Sequence, residues 1–312
     1  MRWLDHRQHL PEPLRGAVIA LGNFDGFHLG HQAVAREAID WARAEGRPSI
    51  IATFDPHPVR FFRPDVPPFR LTTLEQRQDL YLAAGATAML VFHFNAELAG
   101  TSAEDFVQVI LKNRLGAAGV VTGEDFTFGK GRSGNRQTLE RLGAAAGIAA
   151  RAVPPVLDGG APVSSSRVRD ALREGDPQEA ARLLTRPFAI RGVVEHGDKR
   201  GRTIGYPTAN LALEGYLRPA YGIYAVTGRV LATGQVLQGA ANLGIRPQFE
   251  PPKELLEPFF FHFSGDLYGQ EIEVAFHHFL RPEAKFASLE ALTAQMERDC
   301  AKAKSLLSAR PQ

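Results

Sequence analysis

Two histidines three residues apart, His28 and His31, fall in the run Gly22–Gln32, GNFDGFHLGHQ, with an apolar stretch before it and a periodic stretch after it. If that run joins a strand to a helix, both imidazoles stand at the helix start. Unsatisfied N–H groups and the positive dipole end make such a place an anion site. Imidazoles there can donate hydrogen bonds as negative charge develops on phosphate oxygens. Val163–Arg169, VSSSRVR, adds Ser164 together with Ser165 and Arg169. The last two are four apart and share one helical face, and hydroxyls with a guanidinium suit an oligophosphate. Thr53–Pro58 (TFDPHP) and Gly123–Gly129 (GEDFTFG) bring in Asp55, His57, Asp125 and Phe126. In the second half, Pro207–Asn210 (PTAN) sets Thr208 and Asn210 two apart, on one side of an extended chain. A hydroxyl and an amide carbonyl are hard oxygen donors of the kind Mg2+ takes. Just upstream, the glycine-rich basic stretch Gly197–Gly205 can wrap backbone N–H groups around a phosphate. Singly, each has a plainer explanation: a capping histidine, a serine N-cap beside a solvated arginine, a polar turn.

The elements that must carry these residues fall into two patterns. Short apolar runs at Val18–Leu21, Ser49–Thr53, Ala88–Phe92, Val120–Thr122 and Ile148–Val153 alternate with helix-periodic stretches at His31–Glu45, Thr73–Ala84, Ala103–Leu115 and Arg136–Ala146. That alternation predicts a parallel sheet with helices on both faces. Such sheets bind ligands beyond the carboxyl ends of their strands, and GNFDGFHLGHQ, TFDPHP, GEDFTFG and VSSSRVR all follow a predicted strand. After about Arg173 the pattern changes. Asp176-Pro177 with Glu179 opens one more helix, to about Leu184. Strands at Ile190–Glu195, Gly222–Val230, Gln235–Asn242, Phe259–Phe263 and Glu271–Phe279, punctuated by glycines, then predict a small antiparallel barrel. A final helix from Ser288 turns Leu289, Leu292, Met296, Cys300, Ala303 and Leu307 toward a core, with Cys300 an inert thiol.

Composition narrows the classes. The chain has 312 residues, a net charge of +2, one cysteine and 44% hydrophobic residues. Two domains fit that length, a lone Cys300 excludes an internal disulfide, and the mixed charge argues against a dedicated nucleic-acid binder. The charged N-terminus does not read as a signal peptide, and no run has the length of a membrane span. A cytoplasmic enzyme with small-molecule substrates is expected, with no membrane and no nucleic-acid partner; a homo-oligomer is left open. The GxGxxG in Gly129–Gly134 stands too far from its strand for a dinucleotide fingerprint, and Gly131 occupies the Ser/Thr position of a P-loop.

HxGH with a distal SSSxxR resembles the nucleotidylyltransferase superfamily. GNFDGFHLGHQ, TFDPHP, GEDFTFG and VSSSRVR together resemble the FAD synthetase module of bacterial bifunctional riboflavin kinase/FAD synthetases. The second half, through PTAN, NLGIRPQF (Asn242–Phe249), DLYG (Asp266–Gly269) and Arg281, resembles the riboflavin kinase module. The resemblance covers essentially the whole chain. It implies a Rossmann-like α/β adenylyltransferase domain over 1–174, a linker helix region over 175–187 and a barrel kinase domain over 188–312. It implies ATP-dependent phosphorylation of riboflavin to FMN, then adenylylation of FMN to FAD. By the same resemblance Gly22, Asn23, Asp25, His28, His31, Ser164, Ser165 and Arg169 bind ATP for adenylylation, and Asp55, His57, Asp125 and Phe126 line the FMN side. Gly197, Lys199, Gly201, Thr208 and Asn210 bind ATP for the kinase, Thr208 and Asn210 hold Mg2+, Arg281 touches flavin and Glu257 is the general base.

The chain departs from the family around that base. Glu257 is followed by Pro258 and Phe259, and Gln248 replaces a threonine. Pro258 suggests an edge or irregular strand, and Glu254 is the second candidate for the base. Two other readings stay open: an FMN adenylyltransferase with a flavin-binding, catalytically weak barrel, and a flavin-binding protein with both sites degenerate.

Overall fold

The computed structural model describes residues 3–195, 208–246 and 253–308. By contact the chain forms two units, Met1–Val66 with Leu74–Ser164 and Pro67–Thr73 with Ser165–Gln312.

The first unit is a six-stranded sheet in the order β1-β4-β3-β2-β5-β6. Its strands are β1 (Leu4–Asp5), β2 (Val18–Leu21), β3 (Ser49–Asp55), β4 (Ala88–His93), β5 (Gly119–Gly123) and β6 (Ala149–Val153), all paired in parallel. Alternation along the strands sends residues to opposite faces. Ile19, Leu21, Ile50, Ala52, Leu90 and Phe92 join one core cluster, and Val18, Ala20, Ile51, Met89 and Val91 join the other. Burial on both faces is why these strands read as continuous apolar runs. The helices are α1 (Leu29–Ala44), α2 (Pro58–Phe62), α3 (Leu74–Ala83), α4 (Ala96–Gly100), α5 (Ala103–Asp105, continuing as a π-helix over Phe106–Arg114) and α6 (Arg136–Ala146). A two-residue hairpin, β7 (Leu157–Asp158) and β8 (Ala161–Pro162), precedes Ser164. The short strands β1, β7 and β8 carry too few residues for a periodic signal.

The second unit begins with α7 (Ser165–Arg173) and α8 (Pro177–Leu184), the latter capped as expected by Asp176, whose carboxylate accepts the Glu179 N–H at 2.9 Å. An antiparallel barrel follows in the order β10-β13-β12-β11-β14-β9. The strands are β9 (Phe188–Val193), β10 (Leu211–Ala212), β11 (Gly222–Val230), β12 (Val236–Arg246), β13 (Lys253–Phe260) and β14 (Glu271–Pro282). A single bridge between Glu195 and Asn210 brings the two ends together. Inside pack Phe188, Tyr224 and Phe276, with Tyr224 and Phe276 edge to face at 4.9 Å. α9 (Leu289–Ser308) lies on the outer face, where Ala225, Ala240, Phe261, Leu280 and Ala303 form a small core joined by Ile223, Phe259 and Cys300.

Two expectations are corrected. The strand expected over Phe259–Phe263 runs over Lys253–Phe260; Phe261 and His262 make the turn, with His262 at φ 56°. A run of apolar residues shows period two and burial but not where the chain bends. Leu289, expected on the core stripe of the last helix, is 56% exposed, because the helix reaches its packing face only further along. Cys300 is partly buried, and burial pushes its thiol up to about 11, which agrees with an unreactive side chain.

Candidate active sites

In the first unit α1 opens at Leu29, with His28 as its extended N-cap residue. The His28 and His31 rings stack with centroids 3.6 Å apart and planes at 23°. Gly30 lies between them. A Cβ there would stand 3.2 Å from the His28 ring and 3.4 Å from the Val163 carbonyl oxygen. A side chain at this position would therefore crowd the His28 ring, while its distance from Val163 is ordinary contact. The loop ahead of the helix turns through Phe24 (φ 48°), Gly26 (φ 84°) and Phe27 (φ 48°), a conformation that phenylalanine rarely adopts.

A buried network holds that loop. Arg77 of α3 donates from Nη2 to the Asp25 carboxylate at 3.0 Å and from Nη1 to the Thr53 hydroxyl at 3.0 Å. The Thr53 hydroxyl donates in turn to the Asn23 carbonyl at 2.6 Å. The Asp25 and Arg77 side chains are 2% and 4% exposed, so Asp25 shapes the loop from behind. The Asn23 side-chain oxygen is buried with no hydrogen-bond partner among the described residues. Such unbonded buried acceptors are few in native folds.

The remaining motifs stand at the carboxyl ends of β3 and β5. Asp55 closes β3, opposite His93 of β4. His57 accepts the Val59 N–H at 3.2 Å and caps α2. Asp125 is exposed after β5, and Phe126 stacks on Phe128 at 6.0 Å. Ser164 ends the first unit, while Ser165 and Arg169 belong to the second. There the Arg169 Nε donates to the Phe69 carbonyl at 2.9 Å, and its guanidinium lies 5.1 Å from the Phe69 ring centre.

The barrel builds its candidate site by strand register. Gly197, Lys199, Gly201 and Gln248 lie outside the described residues. Leu211 pairs with Leu256, and the Ala209 N–H donates to the Pro258 carbonyl at 3.0 Å. Asn210, between these two contacts, thus faces Glu257. Glu257 is opposite Asn242, Asn242 opposite Ile223, and Ile223 opposite Arg281. Directly opposed residues share a sheet face. One outer-face row therefore runs Glu257, Asn242, Ile223, Arg281 across four strands. At its far end Asp299 of α9 takes the Arg281 guanidinium, with Nη2 to Oδ2 at 2.7 Å.

Glu254, three residues before Glu257, points to the opposite face. Its carboxylate meets Arg218 at 2.8 Å and the Tyr221 hydroxyl. Burial alone would raise its pKa, but the Tyr221 and Arg218 hydrogen bonds hold it below the usual 4.5. Burial and the same carboxylate push the Tyr221 phenol up to about 12. Glu254 is committed to the barrel rim.

The FAD synthetase family model matches residues 10–167 and the riboflavin kinase model residues 184–307. A relative named bifunctional riboflavin kinase/FMN adenylyltransferase from Escherichia coli K12 is 37% identical over 288 residues, covering 92% of this chain and 91% of its own. One of the same name from Pseudomonas fluorescens is 41% identical over 293 residues, covering 94% and 93%. This chain belongs to the bifunctional riboflavin kinase/FMN adenylyltransferase family. A crystal structure titled as a macrolide-efflux protein from Streptococcus pneumoniae superposes with a TM-score of 0.87 at 29% identity, covering 100% of both chains.

Several residues not among the expected site residues stand beside these candidate sites. Arg77 lies in a helix whose pattern shows only amphipathicity, and nothing local ties it to Asp25. Phe61, Phe62 and Phe94 form edge-to-face contacts of 5.2–5.7 Å just beyond TFDPHP, with Phe62 65% exposed. An exposed ring next to a motif is the signal that could have found them. Asn242 opens the NLGIRPQF motif, but only the pairing of β12 with β13 sets it opposite Glu257.

Proposed function

We propose that the chain makes FAD from riboflavin in two ATP-dependent steps, each of the two family-matched segments carrying one. The observation that carries this reading is that the two family matches fall on different halves, and each half holds a set of groups suited to its step. The proposed modules are 1–174 and 188–312, joined through 175–187.

For adenylylation, a phosphate oxygen of FMN attacks the α-phosphorus of ATP and pyrophosphate leaves. The nucleophile is already anionic, so the site works by alignment and charge neutralisation. His28 and His31 donate to the ATP phosphates from the start of α1. Gly22, Asn23 and Asp25 shape the nucleotide loop, and Ser164, Ser165 and Arg169 take the leaving pyrophosphate. Asp55, His57, Asp125 and Phe126 line the FMN side, where the rings of Phe61, Phe62 and Phe94 offer a surface for a planar heterocycle.

For phosphorylation, the nucleophile is the terminal ribityl hydroxyl, a neutral alcohol; Glu257 takes its proton as the oxygen attacks the γ-phosphorus, the bond to the β,γ-bridging oxygen breaks and ADP leaves. Gly197, Lys199 and Gly201 bind ATP, and Arg281 with its Asp299 partner closes the flavin end. Thr208 and Asn210 fit Mg2+ by donor chemistry, two hard oxygens flanking an anchored Ala209, with water and phosphate completing the shell. When bound, the ion neutralises charge on the phosphates. The lone cysteine agrees with a reducing cytoplasm. Among the described residues no helix is long and apolar enough to cross a membrane, and the efflux title of the pneumococcal structure is not carried to this chain.

Incubation with riboflavin, ATP and Mg2+ followed by chromatography tests the reading. FMN and FAD both appear if it holds. Riboflavin left unchanged, with FAD formed only from supplied FMN, would leave a single-activity adenylyltransferase with a flavin-binding barrel.

A further inference from the structure

The outer-face row of the barrel holds one polar residue to which the two steps above give no task. Asn242 stands directly opposite Glu257, and its side-chain oxygen is buried with no hydrogen-bond partner among the described residues. Leaving a buried amide oxygen unbonded costs its full desolvation, and native folds hold few such atoms. Its neighbours in the row bring no side-chain donor: Ile223 is apolar, and an ionised Glu257 only accepts. The next positions on that face, Ala225, Ala240 and Phe259, are apolar and packed with α9. Among the described residues none supplies that donor, and a bound ligand can.

The strand order gives the direction in which a ligand would lie. Asn210 stands beside β10, Glu257 on β13, Asn242 on β12, Ile223 on β11 and Arg281 on β14. Neighbouring strands are about 4.8 Å apart, a few carbon–carbon bonds along a polyol. A chain whose terminal hydroxyl meets Glu257 therefore carries its inner hydroxyls past Asn242. Its aromatic ring then arrives over the apolar positions of β11.

We propose that Asn242 contacts the riboflavin side chain, its Oδ1 accepting a hydrogen bond from an inner ribityl hydroxyl and so fixing the terminal hydroxyl before Glu257. This rests on the kinase reading of the barrel.

The test uses the full chain, riboflavin and its 2′-, 3′- and 4′-monodeoxy analogues. Wild type discriminates against one analogue, and Asn242→Leu lowers kcat/KM for riboflavin roughly 10- to 100-fold while treating that analogue and riboflavin alike. KM for ATP and the adenylylation of supplied FMN stay unchanged. Asn242→Asp keeps an acceptor and retains the discrimination, but its charge beside Glu257 moves the acid limb of the kinase pH profile upward. The proposal is overturned if Asn242→Leu phosphorylates riboflavin as wild type does, or if it loses activity yet still ranks the analogues as wild type does. An unmoved pH limb in a folded, active Asn242→Asp also overturns it. If wild type makes no FMN at all, the kinase reading itself has failed and the proposal falls with it.

Discussion

In the first unit the candidate site lies where the strands stop; in the second it lies across strands that run on past it. The first is made of loops, so its geometry depends on what holds the loops, above all Arg77 behind Asp25. The second is made of cross-strand neighbours, so its geometry depends on register. A slip of β13 by one residue would turn Glu257 to the barrel interior. A loop site is therefore vulnerable at a supporting contact, and a strand-face site at the pairing itself.

The largest expected effect breaks the comparison at the base. Glu257→Gln keeps the pairing and removes the proton acceptor, so kinase turnover falls roughly 10²- to 10⁴-fold while FMN adenylylation persists. Glu254→Gln lowers the melting temperature and leaves turnover largely intact. The reverse result would make Glu254 the base. Next, His28→Ala or His31→Ala lowers adenylylation on the order of 10²-fold, with riboflavin phosphorylation preserved. Equal loss of both activities in a folded variant would show a structural role instead.

The supporting contact comes third. Arg77→Met takes the guanidinium from a buried carboxylate and destabilises the first unit by about 3–5 kcal/mol. Calorimetry should show one transition lowered and the barrel transition unmoved. Acid sharpens the same contrast. His6 accepts the His93 N–H at 3.1 Å, and burial pushes its imidazole down from 6.5 to about 4. Between those values the unfolded chain takes up a proton that the folded unit does not, so stability falls as pH drops through that window. Glu254, held below 4.5, loses its contribution only at lower pH. Burial lowers the His277 imidazole of the barrel strand β14 as well, so both units lose stability as pH falls across that window, and His6→Asn should flatten the slope of the first unit alone. The smallest effect is at Pro258→Val, which restores a backbone donor facing Ala209 and raises barrel stability by about 1 kcal/mol or less. A marked change in kinase turnover would mean that proline also acts on Glu257.

Three of the first site's motifs, GNFDGFHLGHQ, TFDPHP and GEDFTFG, were legible in place: they stand at the ends of strands of the parallel sheet, which gathers such loops on one rim. VSSSRVR follows the β7–β8 hairpin rather than β6, a turn too short to read in the sequence. Even at the first motif the helix opens at Leu29, earlier than the periodicity suggested, because apolar spacing cannot show a cap. The barrel was legible as a class through its glycines and short strands. Its site was not: Asn242 and Glu257 are neighbours only by pairing, and three consecutive phenylalanines disguised the turn at Phe261. Pro258, which reads as a mark of an edge or irregular strand, sits in a strand with neighbours on both sides. Its own backbone faces the side where β10 spans only two residues.

That proline has a further consequence for how these molecules meet one another. At Pro258 the described residues put Ala209 on the β10 side of β13, and a strand flank, wherever it is open, invites another chain to add on. N–H and C=O groups of one residue in an antiparallel strand point the same way, so the Ala209 contact at Pro258 places the missing donor on that flank. A visiting strand would find one carbonyl already engaged and no N–H beside it. The residue that breaks the familiar motif thus also withholds a backbone donor that strand addition at this position would need.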